Sequence, residues 1–187
     1  MVLVGCHVSI AGSIDLAVGR ALDSGCDTFQ IFSRNPRGWK AKDIDPDVAG
    51  AFRRALDASG IGPAVDHMPY LPNLASPDDA IYEKSVAALT DELRRCEVLG
   101  IPYLVTHLGH HRGAGTGTGQ ERVVAAINRA LEEAGAQGVM LLLENTAGEK
   151  NSVGSTVADL CRIFEGIDGK ERIGICFDTC HAFAAGY

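Results

Sequence analysis

Short β-branched runs that end in a polar residue alternate along this chain with longer stretches whose apolar positions recur every three to four residues. The runs Val2 to Val8, Thr28 to Phe32, Pro63 to His67, Tyr103 to His107, Val139 to Glu144 and Ile173 to Asp178 predict strands. Helices are predicted between them, over Ser13 to Ser24, Pro46 to Ser59, Pro77 to Leu99, Gln120 to Gly135 and Ser155 to Gly166. The spacing of Val86, Leu89, Leu93, Cys96 and Val98-Leu99 illustrates the helical period. Pro46 and Pro77 suit first turns, and the glycines at 60, 100, 135 and 166 suit helix ends.

Six strand-helix alternations imply a parallel sheet, either open and doubly wound or closed as a barrel. The segment after the first strand, His7-Val8-Ser9-Ile10-Ala11-Gly12, lacks the glycine fingerprint of a dinucleotide fold. Gly113 to Gly119 is glycine-rich but has no P-loop lysine, and reads as a connection. The polar residues decide the matter. His7, Ser33-Arg34-Asn35, His67, His107, Glu144 and Asp178 each fall at the C-terminal end of a different strand, and in a barrel those ends converge on the catalytic face. The expected fold is therefore α/β, a (β/α)8 TIM barrel truncated after about six units, with residues 1–187 forming one incomplete domain. A barrel of this type normally needs eight units and roughly 250 residues, so the sequence is expected to be part of a longer chain.

Composition narrows the function. At 187 residues and 46% hydrophobic, the chain can bury a substantial core. No apolar run is long enough to span a bilayer, and Met1 to Gly5 has neither the basic start nor the apolar stretch of a signal peptide, so a cytoplasmic protein without membrane contact is expected. Leu3-Val4-Gly5-Cys6 reads as a buried strand end rather than a lipidation site. Six scattered cysteines form a poor disulfide framework and read as reduced thiols; Cys176 and Cys180 make only a weak metal signal. The net charge of −7 argues against a nucleic-acid partner, unless bound cations invert the field inside a carboxylate-lined cleft.

A lone histidine at a strand end is ordinarily structural. Three imidazoles and two carboxylates aimed at one cavity are costly to bury without metal ions. His67, His107, Glu144, Asp178 and His181 favour zinc, manganese or iron over calcium, and five ligands imply more than one ion. Glu144, on the central ligand-bearing strand, is the expected bridge and the catalytic carboxylate; two cations sharing it can activate a water for in-line attack on a phosphodiester. Ser33 to Lys42 is a basic loop with an aromatic residue, suited either to solvent or, beside a metal site, to phosphates. Tyr70 and Leu71 either pack locally or act as wedges against bases.

Cys6-His7-Val8-Ser9, Asn35-Pro36-Arg37-Gly38-Trp39, His67-x-x-Tyr70-Leu71-x-Asn73-Leu74, Thr106-His107-Leu108-Gly109-His110-His111, Leu143-Glu144-Asn145-Thr146-Ala147-Gly148 and Asp178-Thr179-Cys180-His181 through Tyr187 together closely resemble the endonuclease IV family. The resemblance covers the chain in order. It implies a trinuclear Zn2+ site that hydrolyses the phosphodiester 5′ of an abasic site in double-stranded DNA, leaving a 3′-hydroxyl, in base-excision repair by a monomer. His67, His107 and Glu144 would hold the first zinc. Glu144 would bridge to the second, which Asp178 also binds, and His181 would bind the third. Arg37, Tyr70 and Leu71 match residues that contact DNA around a flipped-out abasic nucleotide. His7 and His111 also match, and are expected to stand behind the ligands. Gly38 departs from the larger polar residue often found there, and the remaining family ligands would lie beyond Tyr187. Two other readings remain: a metal-dependent sugar isomerase or epimerase on the same barrel, which has no use for the Arg34 to Lys42 loop, and an inactive zinc-binding fragment.

Overall fold

The computed structural model describes residues 2–187, leaving Met1 outside. Six parallel strands lie side by side in chain order: β1 (Gly5–His7), β2 (Thr28–Ile31), β3 (Ala64–His67), β4 (Tyr103–Thr106), β5 (Met140–Glu144) and β6 (Ile173–Cys176). The order never reverses, so every crossover puts its helix on the same face; this is barrel winding, as the strand-end residues predicted. β1 and β6 are the two edges of the described sheet.

The helices are α1 (Leu16–Asp23), α2 (Pro46–Ser59), α3 (Asp79–Leu99), α4 (Thr116–Ala134), α5 (Val157–Gly166) and the short α6 (Thr179–Ala184). Their starts follow capping chemistry. Asp45, Asp78, Thr156 and Asp178 each accept an orphan backbone N–H of the first turn. The cap at Asp78 moves the start of α3 two residues past Pro77, and Gly60, Gly100 and Gly135 close α2, α3 and α4 in the left-handed conformation. α4 starts at Thr116, ahead of the predicted Gln120, so much of the glycine-rich run is helical. Gly119 has a packing reason for being there: a Cβ would come within 2.9 Å of both His111 Cβ and Val153 Cγ2.

The alternation along the strands sorts side chains between two layers. Phe29, Ile31, Ala64, Leu104, Leu141 and Leu143 point towards the helices and are buried, each large one contributing about 1.5–3 kcal/mol by leaving water. On α3, Val86, Leu89, Leu93, Cys96 and Leu99 face them as the periodicity predicts, whereas Val98 points to solvent. Opposite them, Gln30, Val65, Tyr103, Val105 and Leu142 line the concave face, and the next residue up on that face of β3 to β5 is His67, His107 or Glu144. β1 is shorter than expected and exposed, so Cys6 is no buried strand end. All six cysteines are free thiols in the structure. Among the described residues no helix is long and apolar enough to cross a membrane.

Candidate metal centre

Register brings the ligand candidates together, because His67 on β3 pairs with Val105, two residues before His107, and the β4–β5 register, with Thr106 opposite Leu143, sets His107 level with Glu144. The Glu144 carboxylate is buried at the centre. Its Oε2 lies 3.2 Å from His67 Nε2 and 3.3 Å from His107 Nε2. Ligand atoms held tetrahedrally about one zinc stand about 3.3 Å apart, so this spacing fits a shared ion. The other oxygen, Oε1, faces His181 Nδ1 at 3.6 Å, and Asp178 Oδ2 is 3.7 Å from the same nitrogen. Two ligand groups result, His67-His107-Glu144 and Glu144-Asp178-His181, with Glu144 common to both.

The tautomers are set from behind. His67 Nδ1 is 2.7 Å from the Met68 carbonyl and His181 Nδ1 is 2.9 Å from the Asn145 carbonyl. A carbonyl oxygen only accepts, so Nδ1 is the donor in both rings, which leaves Nε2 as the nitrogen turned towards the site and available to a metal. Burial, helped by the neighbouring His67 and His181, holds His107 below the ordinary histidine range despite the opposing pull of Glu144. A neutral imidazole needs no proton displaced before it ligates. Burial, with Glu144 and Asp178 nearby, pushes the Cys176 thiol up to about 11, so it stays protonated; neither it nor Cys180 joins a ligand group.

Asn145, which the ligand pattern alone does not single out, ties β5 to β6. Its Oδ1 accepts the Asp178 N–H at 2.7 Å and its Nδ2 donates to the Asp178 carbonyl at 3.0 Å. Asp178 then caps α6 by accepting the His181 N–H at 2.7 Å, so one amide sets the position of two candidate ligands. Asn73 does similar work across the loops after β3 and β4, accepting the His110 N–H at 2.8 Å and donating to the His110 carbonyl at 3.0 Å. Both asparagines stand in the sequence motifs, but an amide gives no hint of its partners until the fold supplies them.

His7 stands beside the centre. Its ring lies 4.5 Å from Phe32, which meets His67 edge-on at 5.6 Å. Burial and the nearby His67 lower its pKa, and Gln30 bonds its Nδ1 at 3.1 Å. His111 does different work: its Nδ1 accepts the N–H groups of Gly113 and Gly115 at 3.3 and 3.1 Å and shapes the entry to α4. Tyr70 is exposed, with its ring 6.1 Å from His67, and Leu71 beside it is also exposed. A cleft of about 280 Å³ lined by Tyr70, Pro72, His107, His110, Thr146 and His181 opens next to the ligands. Arg37 is exposed at the tip of the loop after β2, where its N–H binds Asn35 Oδ1 at 3.0 Å in a tight turn.

A sheet wound in one direction, with a His-Glu-Asp cluster on the carboxyl ends of its strands, defines a barrel that carries a candidate metal centre on its catalytic rim. The chain belongs to the xylose isomerase-like TIM barrel family, whose model matches residues 18–187. Within that family its sequence likeness is to endonuclease IV, as the motifs suggested. It is 82% identical over 187 residues to the "Probable endonuclease 4" of Methanoculleus marisnigri, an alignment covering 100% of this chain and 66% of that protein. The crystal structure of endonuclease IV from Thermus thermophilus superimposes with a TM-score of 0.87 at 40% identity, covering 97% of this chain and 64% of that one. D-psicose 3-epimerase from Clostridium cellulolyticum superimposes with a TM-score of 0.74 at 17% identity over 95% of this chain and 64% of its own, a likeness of fold alone. The chain thus spans about two thirds of the length of the curated relatives it matches.

Proposed function

We propose that the protein is a zinc-dependent endonuclease that hydrolyses the phosphodiester on the 5′ side of abasic sites in double-stranded DNA, leaving a 3′-hydroxyl, as a step of base-excision repair. One observation carries the reading: Glu144 belongs both to the His67-His107-Glu144 group and to the Glu144-Asp178-His181 group, so a single carboxylate serves two adjacent ligand groups. Imidazoles mixed with carboxylates favour zinc over calcium or magnesium. The names of the longer relatives point to the same class of reaction.

His67, His107 and Glu144 would hold one ion, and Glu144 would extend to a second with Asp178, while His181 would reach a third. Bound there, divalent metal supplies Lewis acidity, which polarises a phosphoryl oxygen and acidifies a water. The chain's own groups do the rest. His107, which burial holds below the ordinary histidine range, would ligate without adding positive charge that repels the cations. Asp178 and Glu144 bring the negative charge that retains them. The exposed Arg37 answers the backbone phosphates, which offsets the overall charge of −7 where the duplex approaches. Tyr70 and Leu71, exposed beside the cleft, suit the gap left by a missing base, where unstacking costs least.

A sugar isomerase or epimerase would share the fold and the ligand types but would leave Arg37 without a task. The test is incision of an end-labelled duplex carrying one abasic analogue, by the zinc-loaded protein and after chelation. A nick at the analogue that chelation abolishes and zinc restores supports the proposal. Equal cutting of undamaged duplex, or cutting that survives chelation, overturns it.

A further inference from the structure

Beneath the loop that carries Arg37 lies a buried polar cluster that no ligand role uses. Arg95 extends from α3 and is 8% exposed. Its guanidinium donates from Nε to Ser33 Oγ at 2.7 Å and from one terminal nitrogen to the Ser33 carbonyl at 2.6 Å. The other terminal nitrogen donates to the Lys42 carbonyl at 2.8 Å. Ser33 and Lys42 are the two ends of the basic loop, so one side chain binds both. The fully buried Glu92, one turn before Arg95 on α3, lies 3.6 Å from it and accepts the Ser33 hydroxyl, and it also pairs with Arg34 Nε at 2.6 Å. Asp66 completes the seat by accepting the Ser33 N–H at 2.9 Å. Between these ends the loop turns back on itself, with Arg37 N and Gly38 N both donating to Asn35.

We infer that Arg95, supported by Glu92, is a positioning residue that clasps both ends of the Ser33–Lys42 loop and so presents Arg37 and Trp39 in one arrangement. Placing an ion pair under a helix is a poor way to add stability, because desolvation cancels most of the attraction. A planar fork that satisfies three oxygen acceptors at once is instead a good way to fix backbone geometry. Lysine cannot do the same, since a single ammonium on a flexible stem cannot reach acceptors on both strands of the loop in one plane. The consequence for DNA binding rests on the reading of this loop as the one that meets phosphates; the clasp itself does not.

Trp39 is the only tryptophan of the chain and is 38% exposed, so its fluorescence reports on this loop alone. Arg95→Lys keeps the charge against Glu92, and Ser33→Ala removes two of the cluster's hydroxyl bonds at smaller structural cost. Ile163→Ala, in the core of α5, serves as a variant weakened far from the loop. Acrylamide quenching of Trp39 is expected to rise roughly twofold in Arg95→Lys and less in Ser33→Ala, with faster tryptic cleavage after Arg37, Lys40 and Lys42, and to stay at the parent value in Ile163→Ala. Should Arg95→Lys not fold, Ser33→Ala against Ile163→Ala decides alone. Unchanged quenching in the folded loop variants, or the same rise in Ile163→Ala, overturns the clasp. Affinity for abasic duplex, measured alongside, separates the two layers: a loosened loop with unaltered DNA affinity retains the clasp and contradicts the loop's assignment to DNA.

Discussion

Asn145 and Asp178, 33 residues apart, hold each other by two hydrogen bonds, the amide accepting from the Asp178 N–H and donating to its carbonyl. The pairing joins the ends of β5 and β6 and brings the Asp178 carboxylate and the His181 ring to the open side of Glu144. Asn145→Ala breaks both bonds without touching a ligand. Supports of this kind typically contribute 10–100-fold to metal affinity, and a loss of about that size in zinc affinity is expected at the Glu144-Asp178-His181 group. Competitive titration with a zinc chelator measures it; parent-like affinity in a folded Asn145→Ala contradicts the role.

Gly109 follows β4 with φ +94, and a Cβ there would stand 2.1 Å from Asn73 Oδ1. Gly109→Ala therefore suffers backbone strain and displaces the side chain that joins the loops after β3 and β4. A destabilisation of about 2–4 kcal/mol follows from the two effects together. Denaturant unfolding checks the value, and a cost below about 1 kcal/mol would mean that the loops relax freely.

Burial, with Glu92 close by, raises the pKa of Asp66 well above 3.8. A carboxyl raised on folding favours the folded state fully only below its unfolded value, so that contribution is present below pH 3.8 and is lost as pH rises through the folded pKa. Asp66→Asn mimics the protonated form and keeps an oxygen for the Ser33 N–H. The variant is expected to gain stability relative to the parent as pH rises towards about 7, with no gain at the acid end. Paired urea titrations across that range test this; a variant less stable than the parent at neutral pH would show that ionised Asp66 is favoured.

Arg37 projects from a turn fixed by Asn35 and takes no part in the ligand cluster. Arg37→Ala should leave zinc uptake unchanged and reduce the salt dependence of duplex binding by about one unit of slope, the signature of one fewer phosphate neutralised. An unaltered slope would remove Arg37 from the interface.

The winding and the gathering of the candidate ligands at one rim were legible because both follow from short-range pattern. Strand-helix alternation fixes the direction of every strand, so a polar residue at each strand end, such as His67, His107 or Glu144, must arrive on one rim. Features that depend on what packs across the sheet were not legible. Glu92 and Arg95 sit on α3 as ordinary charged residues, and only the packing of the helix against Ser33 and the loop after β2 turns them inward. α6 escaped prediction because six residues carry no period, although Asp178 three residues before His181 is a capping signal. His111 shares a motif with candidate ligands, yet the positive-φ turns at Gly113 and Gly115 draw its ring towards their N–H groups.

The most direct measurement of the central claim is the position and chemistry of the nick made in an abasic duplex by the zinc-loaded protein, compared with Glu144→Gln. An amide keeps the shape of Glu144 but not the charge that two ion positions share. The account predicts a zinc-dependent break on the 5′ side of the lesion, with a 3′-hydroxyl that a polymerase extends, and its loss in the folded variant. A break elsewhere, an end that cannot be extended, or full incision by Glu144→Gln would contradict it.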